Sequence, residues 1–339
     1  MALIEVLLLS RQDVVDLNLE PLVVMGVVER ALREHAEGAY EMHPKIGVHP
    51  TETDPANFIH AMPAYLPRLR ACGLKWVGGF ARNFERGLPN VTGVQVLNDP
   101  DTGVPLAVMD CSFLTGMRTA AVSTIAARCC ARSNPRTLAL VGCGFEGTKH
   151  LEYLVTAFPG LQELRLRDVR DSAMNALKER IAEQFSGPVR VCSDEASCLE
   201  GADIICTCTN GEVQIVRPEW FGPGAFGVAI EGGCAYTAEA LHQADRFLVD
   251  DVPLAEYFDR IGRDRLTADG RPDPEFPGGM PEVAATIGQV VAGQRPGRLR
   301  DEDRVIAVPI GMSICDVAVA QLIYETASNL QVGESFALA

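Results

Sequence analysis

Short apolar runs separated by polar segments dominate the chain from residue 136 onward. Runs of this length are typical of strands that are buried on both faces of a parallel sheet. We predict strands at 137–141, 163–167, 189–192, 203–208, 226–230, 246–249 and 304–308. Between the first two, apolar residues recur at helical spacing, at Leu151, Leu154 and Val155. This alternation of strands and helices predicts a doubly wound parallel α/β sheet.

The first third of the chain lacks this alternation. Its apolar runs follow one another closely, and we predict strands at 58–61, 74–78, 94–97 and 106–109. The last two are joined by Asn98–Gly103, whose Asn, Asp, Pro and Gly residues are typical of a hairpin turn. Because hairpins pair strands antiparallel, we predict an α+β arrangement for this part.

Two helices are predicted on either side of these strands. The first covers 19–37, with Asn18 as its N-cap and Pro21 in its first turn. The second begins near Thr115 and is ended by Asn134 and Pro135.

The C-terminal part of the chain is predicted to leave the parallel sheet. A helix is predicted after Gly311, where the sheet is complete, and we expect it to return to the first part of the chain. The chain then divides into one domain of 1–118 with 312–339 and another of 119–311. A stretch rich in proline and glycine at 270–279 is predicted to be a loop.

A glycine-rich loop follows the first predicted parallel strand. The sequence Gly142-Cys-Gly144-Phe-Glu-Gly147 precedes a helix, and the next strand ends at Asp168. Gly142 permits a tight turn, Gly144 lets a pyrophosphate approach the backbone, and Gly147 lets the helix pack close to the sheet. The helix N-terminus directs N–H groups and a positive dipole end at the phosphates. This order of elements predicts a binding site for a dinucleotide.

Asp168 indicates which dinucleotide is bound. Its carboxylate would accept hydrogen bonds from the ribose hydroxyls of the adenosine and repel a 2′-phosphate, so the sequence favours NAD. Arg167 and Arg170 flank the acid and would tolerate that phosphate, so NADP stays an alternative.

The composition argues against several classes of partner. The net charge of −15 disfavours nucleic acids and anionic membranes, which bind basic surfaces. No stretch has the length of a membrane span, and the N-terminal sequence lacks the features of a signal peptide. The eleven cysteines follow neither a disulfide framework nor a metal-binding spacing. We therefore expect a cytoplasmic protein with reduced cysteines and no metal ion.

Three basic side chains lie in apolar or loop surroundings of the first domain. Lys75 interrupts an apolar strand, Arg118 opens an otherwise apolar helix, and Lys45 lies between two histidine–proline pairs. A lysine in a half-buried strand must find an anion or lose its charge. Together the three would bind a carboxylate, although each could equally be paired within the protein. His60 alternates with apolar neighbours and, like Lys75, is a candidate to carry a proton.

Several stretches taken together resemble the ornithine cyclodeaminase/mu-crystallin family. They are Met62–Tyr65, Gly73–Gly78, Leu97–Gly103, Met117–Val122, the Gly142 loop, Ala202–Thr209 and Gly311–Asp316. The resemblance extends over nearly the whole chain. It implies an NAD(P)-dependent enzyme, usually a homodimer, whose first domain binds the substrate and dimerises and whose second is a Rossmann domain.

The resemblance also implies roles for individual residues. Those matching Lys75 and Arg118 would bind the substrate carboxylate near the nicotinamide, with help from Lys45. The residues expected to contact the cofactor are Arg118, Thr119, Gly142, Gly144, Phe145, Glu146, Gly147, Asp168 and Thr209.

Two positions depart from the pattern of true cyclodeaminases. These enzymes carry a glutamate where His60 stands, and an aspartate that aligns with Gly233. That aspartate handles the distal amine of the substrate, so its loss argues against ornithine cyclisation. Glu231 is close by in sequence and is a candidate to replace it.

We therefore predict an oxidoreductase that transfers hydride between the nicotinamide and the α-carbon of a small α-amino or α-imino acid. It would act on CH–NH2 or CH–NH groups, as an amino acid dehydrogenase or a ketimine reductase. Lys75, His60 or a water held by either would move the proton. The alternatives are a lyase that releases ammonia with NAD recycled, and a non-catalytic protein that binds its ligand with NAD(P)H.

Overall fold

The computed structural model of the 339-residue chain describes residues 3–50, 57–209, 214–231, 235–258 and 279–339. The predicted loop at 270–279 lies outside these ranges except for its last residue. The chain forms two compact units. We call residues 1–118 with 312–339 the mixed-sheet unit and residues 119–311 the parallel-sheet unit.

The segment before the central helix folds into strands and two helices. They are β1 (Glu5–Leu9), α1 (Arg11–Asp16), α2 (Pro21–Ala36), β2 (Glu41–Met42), β3 (Ile46–Val48), β4 (Phe58–Leu66), β5 (Ala71–Gly79), β6 (Val91–Asn98) and β7 (Pro105–Asp110). A 3-10 helix, Ala81–Arg86, joins β5 to β6. The four predicted strands are confirmed, and each is longer than predicted.

The helix starts differ from the prediction. Asn18 is not the N-cap of α2, because it adopts a left-handed backbone with φ of 46° in the connection from α1. The N-cap is Glu20, which the following Pro21 restricts to an extended conformation. The central helix α3 (Cys111–Cys130) begins four residues before Thr115. Asp110 caps it by accepting a hydrogen bond from the N–H of Phe113 at 2.8 Å.

The parallel-sheet unit continues from the end of α3. Its elements are β8 (Thr137–Val141), α4 (Phe145–Ala157), β9 (Glu163–Arg167), α5 (Asp171–Ile181), β10 (Val189–Val191), α6 (Glu195–Leu199), β11 (Ile204–Thr207), β12 (Phe226–Ala229), α7 (Ala238–His242), β13 (Arg246–Val249), α8 (Val252–Tyr257), β14 (Ala285–Thr286), α9 (Ile287–Val291) and β15 (Val305–Val308). A 3-10 helix, Pro218–Trp220, precedes β12.

These strands form one parallel sheet in the order β10-β9-β8-β11-β12-β15-β13-β14. The chain winds outward from β8 to β10, then returns to β11 and winds the other way. The order therefore reverses between β8 and β11, which is where doubly wound sheets bind their ligands. The predicted fold class is confirmed.

The last two elements, α10 (Ser313–Leu330) and β16 (Glu334–Ala337), belong to the mixed-sheet unit. The sheet of this unit has the order β16-β1-β7-β6-β5-β4-β2, and β3 also pairs with β4. Its pairs are antiparallel except for β1 with β7. Helix α10 packs on β4, β5, β6 and α2.

The two faces of this sheet differ in what covers them. Side chains alternate along β5, so Lys75 and Val77 point to one face of the sheet and Trp76 points to the other. The face of Lys75 is buried, whereas Trp76 and its partner Val94 on β6 are 43% and 39% exposed. An apolar hollow of about 360 Å³ lies on the exposed face, between residues that include Leu8 and Phe336. We call this surface the open face.

Candidate functional site

Lys75 and Arg118 meet on one carboxylate inside the mixed-sheet unit. Lys75 Nζ donates to Asp316 Oδ1 at 2.8 Å, and Arg118 Nε donates to the same oxygen at 2.8 Å. Lys75 also lies 3.4 Å from Thr115 Oγ1. Three elements supply the trio: β5 holds Lys75, α3 holds Arg118, and the first turn of α10 holds Asp316. Lys75 and Arg118 thus come together in the fold, where both are paired with a carboxylate of the chain itself.

The pKa values of Lys75 and Asp316 reflect both burial and charge. Burial lowers the pKa of Lys75, Asp316 opposes that effect, and the charge of Arg118 adds to it, leaving the pKa below its usual value. For Asp316, burial alone would raise the pKa. The charges and hydrogen bonds of Arg118 and Lys75 outweigh burial, so the pKa is lowered. With all three groups ionised, the trio carries a net charge of +1, which attracts a further anion.

His60 lies on β4, on the same sheet face as Lys75. Its pKa is lowered to about 4, mostly by burial and in addition by the charges of Lys45, His49 and Lys75. Its ring stacks on Phe58 with 4.3 Å between the centroids. The structure therefore places Lys45 and Lys75 close enough to act on His60, and the imidazole is neutral at neutral pH.

The glycine loop lies between β8 and α4 in the parallel-sheet unit. Gly142 has a φ of 95°, and a Cβ there would clash with the carbonyl oxygen of Cys208. A Cβ on Gly147 would clash with the carbonyl oxygen of Gly142. A Cβ on Gly144 would meet no other part of the described chain within 4 Å. Gly144 is the N-cap of α4 and gives it no side-chain cap, so the open side of the loop presents backbone N–H groups.

Asp168 lies beside this loop, directly after β9. Its Oδ2 accepts a hydrogen bond from the N–H of Cys143 at 2.7 Å, and Oδ1 accepts from the N–H of Arg170 at 2.9 Å. The Arg170 guanidinium is close to the carboxylate, with Nε 3.6 Å from Oδ1. Arg167 instead donates to Glu195 at 3.0 Å. Asp168 and Arg170 are thus charged groups that lie next to the loop, directly after β9.

The other predicted cofactor residues lie at helix and strand ends. Phe145 and Glu146 form the first turn of α4, and the Phe145 ring is 39% exposed. Thr209 follows β11, and its buried hydroxyl has no hydrogen-bond partner among the described residues. Thr119 lies on α3, where the mixed-sheet unit ends and the parallel-sheet unit begins.

The fold agrees with that of relatives of the chain. The sequence profile of the ornithine cyclodeaminase/mu-crystallin family matches residues 5–331. The chain belongs to this family. An alanine dehydrogenase from Archaeoglobus fulgidus is 34% identical to it over 334 residues, which make up 97% of either chain. The nodulation efficiency protein NfeD from Rhizobium meliloti is 32% identical over 328 residues, which make up 96% of either chain.

A solved structure extends the likeness to three dimensions. An archaeal alanine dehydrogenase, a dimer with bound NAD, superposes with a TM-score of 0.85 at 31% identity, covering 99% of this chain and 100% of that chain. The predicted membership of the ornithine cyclodeaminase/mu-crystallin family is confirmed. Within the described part of the chain, no helix has the length and apolar character needed to cross a membrane.

This ornithine cyclodeaminase/mu-crystallin family member also has a buried acid that follows β12. Thr207 Oγ1 donates to Glu231 Oε1 at 2.6 Å, and the buried Oε2 has no hydrogen-bond partner among the described residues. Burial raises the pKa of Glu231 to about 7. Gly233, the position aligned with the cyclodeaminase aspartate, lies outside the described residues.

A pair of thiols lies near Glu231 in the parallel-sheet unit. The Sγ atoms of Cys206 and Cys208 are 3.7 Å apart, and a ring nitrogen of His150 lies within 4.8 Å of both. The two nitrogens of His150 are 2.7 Å from the Glu146 carbonyl oxygen and 3.0 Å from Ser123 Oγ. Because both nitrogens are engaged and burial raises the pKa of the Cys208 thiol, this group packs the interior.

Sequence reasoning did not assign a role to Asp316. The signal was nevertheless present, because Asp316 is the only charged residue between Ser313 and Ala320, an otherwise apolar stretch. A single acid in the buried half of a helix requires partners of opposite charge.

Proposed function

We propose that this chain is an NAD-dependent oxidoreductase that transfers hydride between the nicotinamide and the α-carbon of a small α-amino acid or its imine. The observation that carries the proposal is the pair of buried cations, Lys75 and Arg118, gathered on one oxygen of Asp316. The amino acid dehydrogenases among its relatives agree with this activity.

Lys75 and Arg118 bind the carboxylate of the substrate. An ammonium group has three N–H donors and a guanidinium has five, and Asp316 accepts one from each. The net charge of +1 favours a monoanionic carboxylate, and Lys45 adds to the attraction. Holding this end fixes the α-carbon, so that binding energy is converted into orientation.

The parallel-sheet unit binds the cofactor. Gly142 and Gly147 shape the loop, Gly144 lets the pyrophosphate approach, and α4 directs its N-terminal N–H groups at the phosphates. Phe145 and Glu146 lie beside the phosphates.

Four further residues complete the proposed cofactor site. Asp168 accepts hydrogen bonds from the adenosine ribose and favours NAD over NADP, while Thr119, Thr209 and Arg118 contact the nicotinamide half. When bound, NAD takes up or delivers the hydride at the substrate α-carbon.

Lys75 moves the proton that the substrate nitrogen gives up or takes. Burial lowers the pKa of Lys75, so its ammonium group gives up a proton at a lower pH than an exposed lysine does, which suits a group that transfers protons. His60, with a pKa of about 4, is neutral at pH 7 and a weak base, so we assign it to holding the substrate or a water by hydrogen bonding.

The open face of the mixed sheet binds a second copy of the chain. Trp76, Val94 and Phe336 expose between 39% and 52% of their surface there, and an apolar face of this kind is typical of a subunit interface. The archaeal alanine dehydrogenase is a dimer. The described cysteines are free thiols, in line with a reducing, cytoplasmic setting.

A lyase activity is the second candidate, and Glu231 favours it. Its carboxyl group has a pKa of about 7 and lies two residues from Gly233, where cyclodeaminases have an aspartate. In that case ammonia is released and NAD is regenerated within each turnover.

The decisive assay follows NADH absorbance with a panel of amino acids plus NAD, and of keto acids with ammonia or amines plus NADH. Because its relatives include alanine dehydrogenases, L-alanine and pyruvate with ammonia come first. A net change in NADH supports the dehydrogenase, and ammonia release without such a change supports the lyase. Tight NADH binding with no turnover of any compound would refute both and indicate a binding protein.

A further inference from the structure

The carboxylate that holds the two cations is less accessible than they are. The side chain of Asp316 is 0% exposed, that of Lys75 is 2% exposed, and that of Arg118 is 9% exposed. All three groups are buried, and Arg118 is the most accessible of them. Asp316 Oδ1 is taken up by the two cations, while its buried Oδ2 has no hydrogen-bond partner among the described residues. Through Oδ1 the acid can act on a ligand by way of Lys75 and Arg118.

The geometry shows how that influence works. One oxygen, Oδ1, accepts from both Lys75 and Arg118, so the two nitrogen atoms lie within two hydrogen-bond lengths of each other. Without the acid, two like charges this close would repel each other across a medium of low dielectric constant. Lys75 is on β5 and Arg118 on α3, and the charge of Asp316 on α10 ties the two side chains together.

We propose that Asp316 is a positioning residue, which holds Lys75 and Arg118 at the spacing and orientation that a substrate carboxylate requires. The inference rests on the proposed function, since it concerns how the same substrate is bound. Asp316 does not touch the substrate, and its removal acts on binding and orientation.

Energetics argue against a purely structural role for the trio. Bringing two cations and one anion out of water costs several kcal/mol per ion, and apolar side chains of similar volume usually stabilise a fold as well or better. Apolar packing is already available here, because Ile314, Val317 and Ala318 on the same helix are buried. The presence of Asp316 in this buried trio is therefore explained by its effect on the positions of Lys75 and Arg118.

Asp316 also governs the charge of Lys75. The groups that face Lys75 are Asp316 on α10, Arg118 and Cys111 on α3, and His60 on β4, while Gln95 opposite it on β6 does not titrate. Of these, Asp316 is the one that raises the pKa of Lys75 most. Replacing it with a neutral residue therefore moves the titration of Lys75 to lower pH.

The test compares Asp316→Asn, Asp316→Glu and Glu325→Gln with the wild type. Glu325 is an exposed acid on the same helix and controls for the loss of one charge. We expect Asp316→Asn to lose roughly 10²-fold in kcat/KM for the amino acid, because misplaced binding groups cost about that much. In the pH–rate profile of Asp316→Asn, the limb that reports the titration of Lys75 should move to lower pH. Asp316→Glu keeps the charge, so we expect a raised KM and an unmoved limb.

Urea unfolding shows whether each variant is folded, because Asp316 lies in the mixed-sheet unit. Binding of NADH, measured by fluorescence, shows in addition whether the glycine loop of the parallel-sheet unit still binds the cofactor. If Asp316→Asn does not fold, the KM of Asp316→Glu is the test: a raised KM supports the positioning role, and a wild-type KM refutes it. Wild-type KM and pH profile in the folded variants would overturn the role of Asp316 while leaving the activity in place. Absence of turnover in the wild type would instead overturn the proposed function.

Discussion

Alanine substitutions at the three loop glycines separate cofactor binding from folding. Gly144 has a φ of −80° and ψ of −159°, which any residue adopts, and a Cβ there meets no other part of the described chain within 4 Å. Gly144→Ala should therefore fold as well as the wild type, or gain about 0.4–1 kcal/mol from a less flexible unfolded chain. Its methyl group would, however, occupy the space through which the pyrophosphate approaches.

The other two glycines should behave in the opposite way. Gly142→Ala forces a left-handed conformation, costing about 1–2 kcal/mol, and adds a clash with the carbonyl oxygen of Cys208. Gly147→Ala drives a methyl group into the carbonyl oxygen of Gly142, and such overpacking costs typically about 1–3 kcal/mol. Both variants should lose stability, whether or not cofactor is present.

Urea unfolding and NADH fluorescence titration measure the two effects on the same samples. For Gly144→Ala we expect wild-type stability and a Kd for NADH raised roughly 10- to 100-fold, since about 1–3 kcal/mol is lost when backbone N–H groups no longer reach the phosphates. Gly160→Ala is the matched control, because a Cβ there also meets no other part of the described chain within 4 Å. An unchanged Kd in a folded Gly144→Ala would refute the assignment of the loop to the pyrophosphate.

Three further predictions concern other parts of the molecule. Asp168→Asn removes the charge that repels a 2′-phosphate, so the ratio of NADPH to NADH affinity should rise by about tenfold or more, whereas Asp171→Asn should leave it unchanged. The pKa of His60 is lowered from 6.5 to about 4, so its contribution to the free energy of unfolding is full above pH 6.5 and is lost as the pH falls through about 4. The free energy of unfolding of His60→Gln, measured in urea, should not show that loss. Val94→Glu on the open face should give a monomer by sedimentation or light scattering, while Val169→Glu, at a 91% exposed position of the parallel-sheet unit, should stay dimeric. An unaltered cofactor preference, an unaltered acid transition or an intact dimer would contradict the respective assignment.

Local pattern predicted the centre of the parallel sheet well because β8, β11, β12 and β15 are apolar runs that are buried over nearly their whole length. The short or exposed strands β3 and β16 have no such signal, since they are held by pairing with β4 and β1 and not by burial. Asn18 looked like a helix cap because its residue type is right. Pro21 decides the start instead, by restricting Glu20 to an extended conformation.

The candidate site was predicted only where a local pattern marks its residues. Lys75 and Arg118 stand out as charges within apolar segments, and the glycine loop carries its own spacing. Asp316 lies 241 residues from Lys75 in the chain, so only the fold brings the two together. The pairing of two cations on one acid depends on the fold, and the lowered pKa of Lys75 depends on burial. No local pattern encodes either.

The most direct test of the central claim follows the hydrogen of the α-carbon. An amino acid that supports turnover is supplied with deuterium at that carbon, and the NADH formed is analysed by mass spectrometry and NMR. The account predicts deuterium at C4 of the nicotinamide, with Lys75→Ala abolishing the transfer while binding NADH normally. NADH formed without deuterium, or transfer that persists in Lys75→Ala, would contradict it.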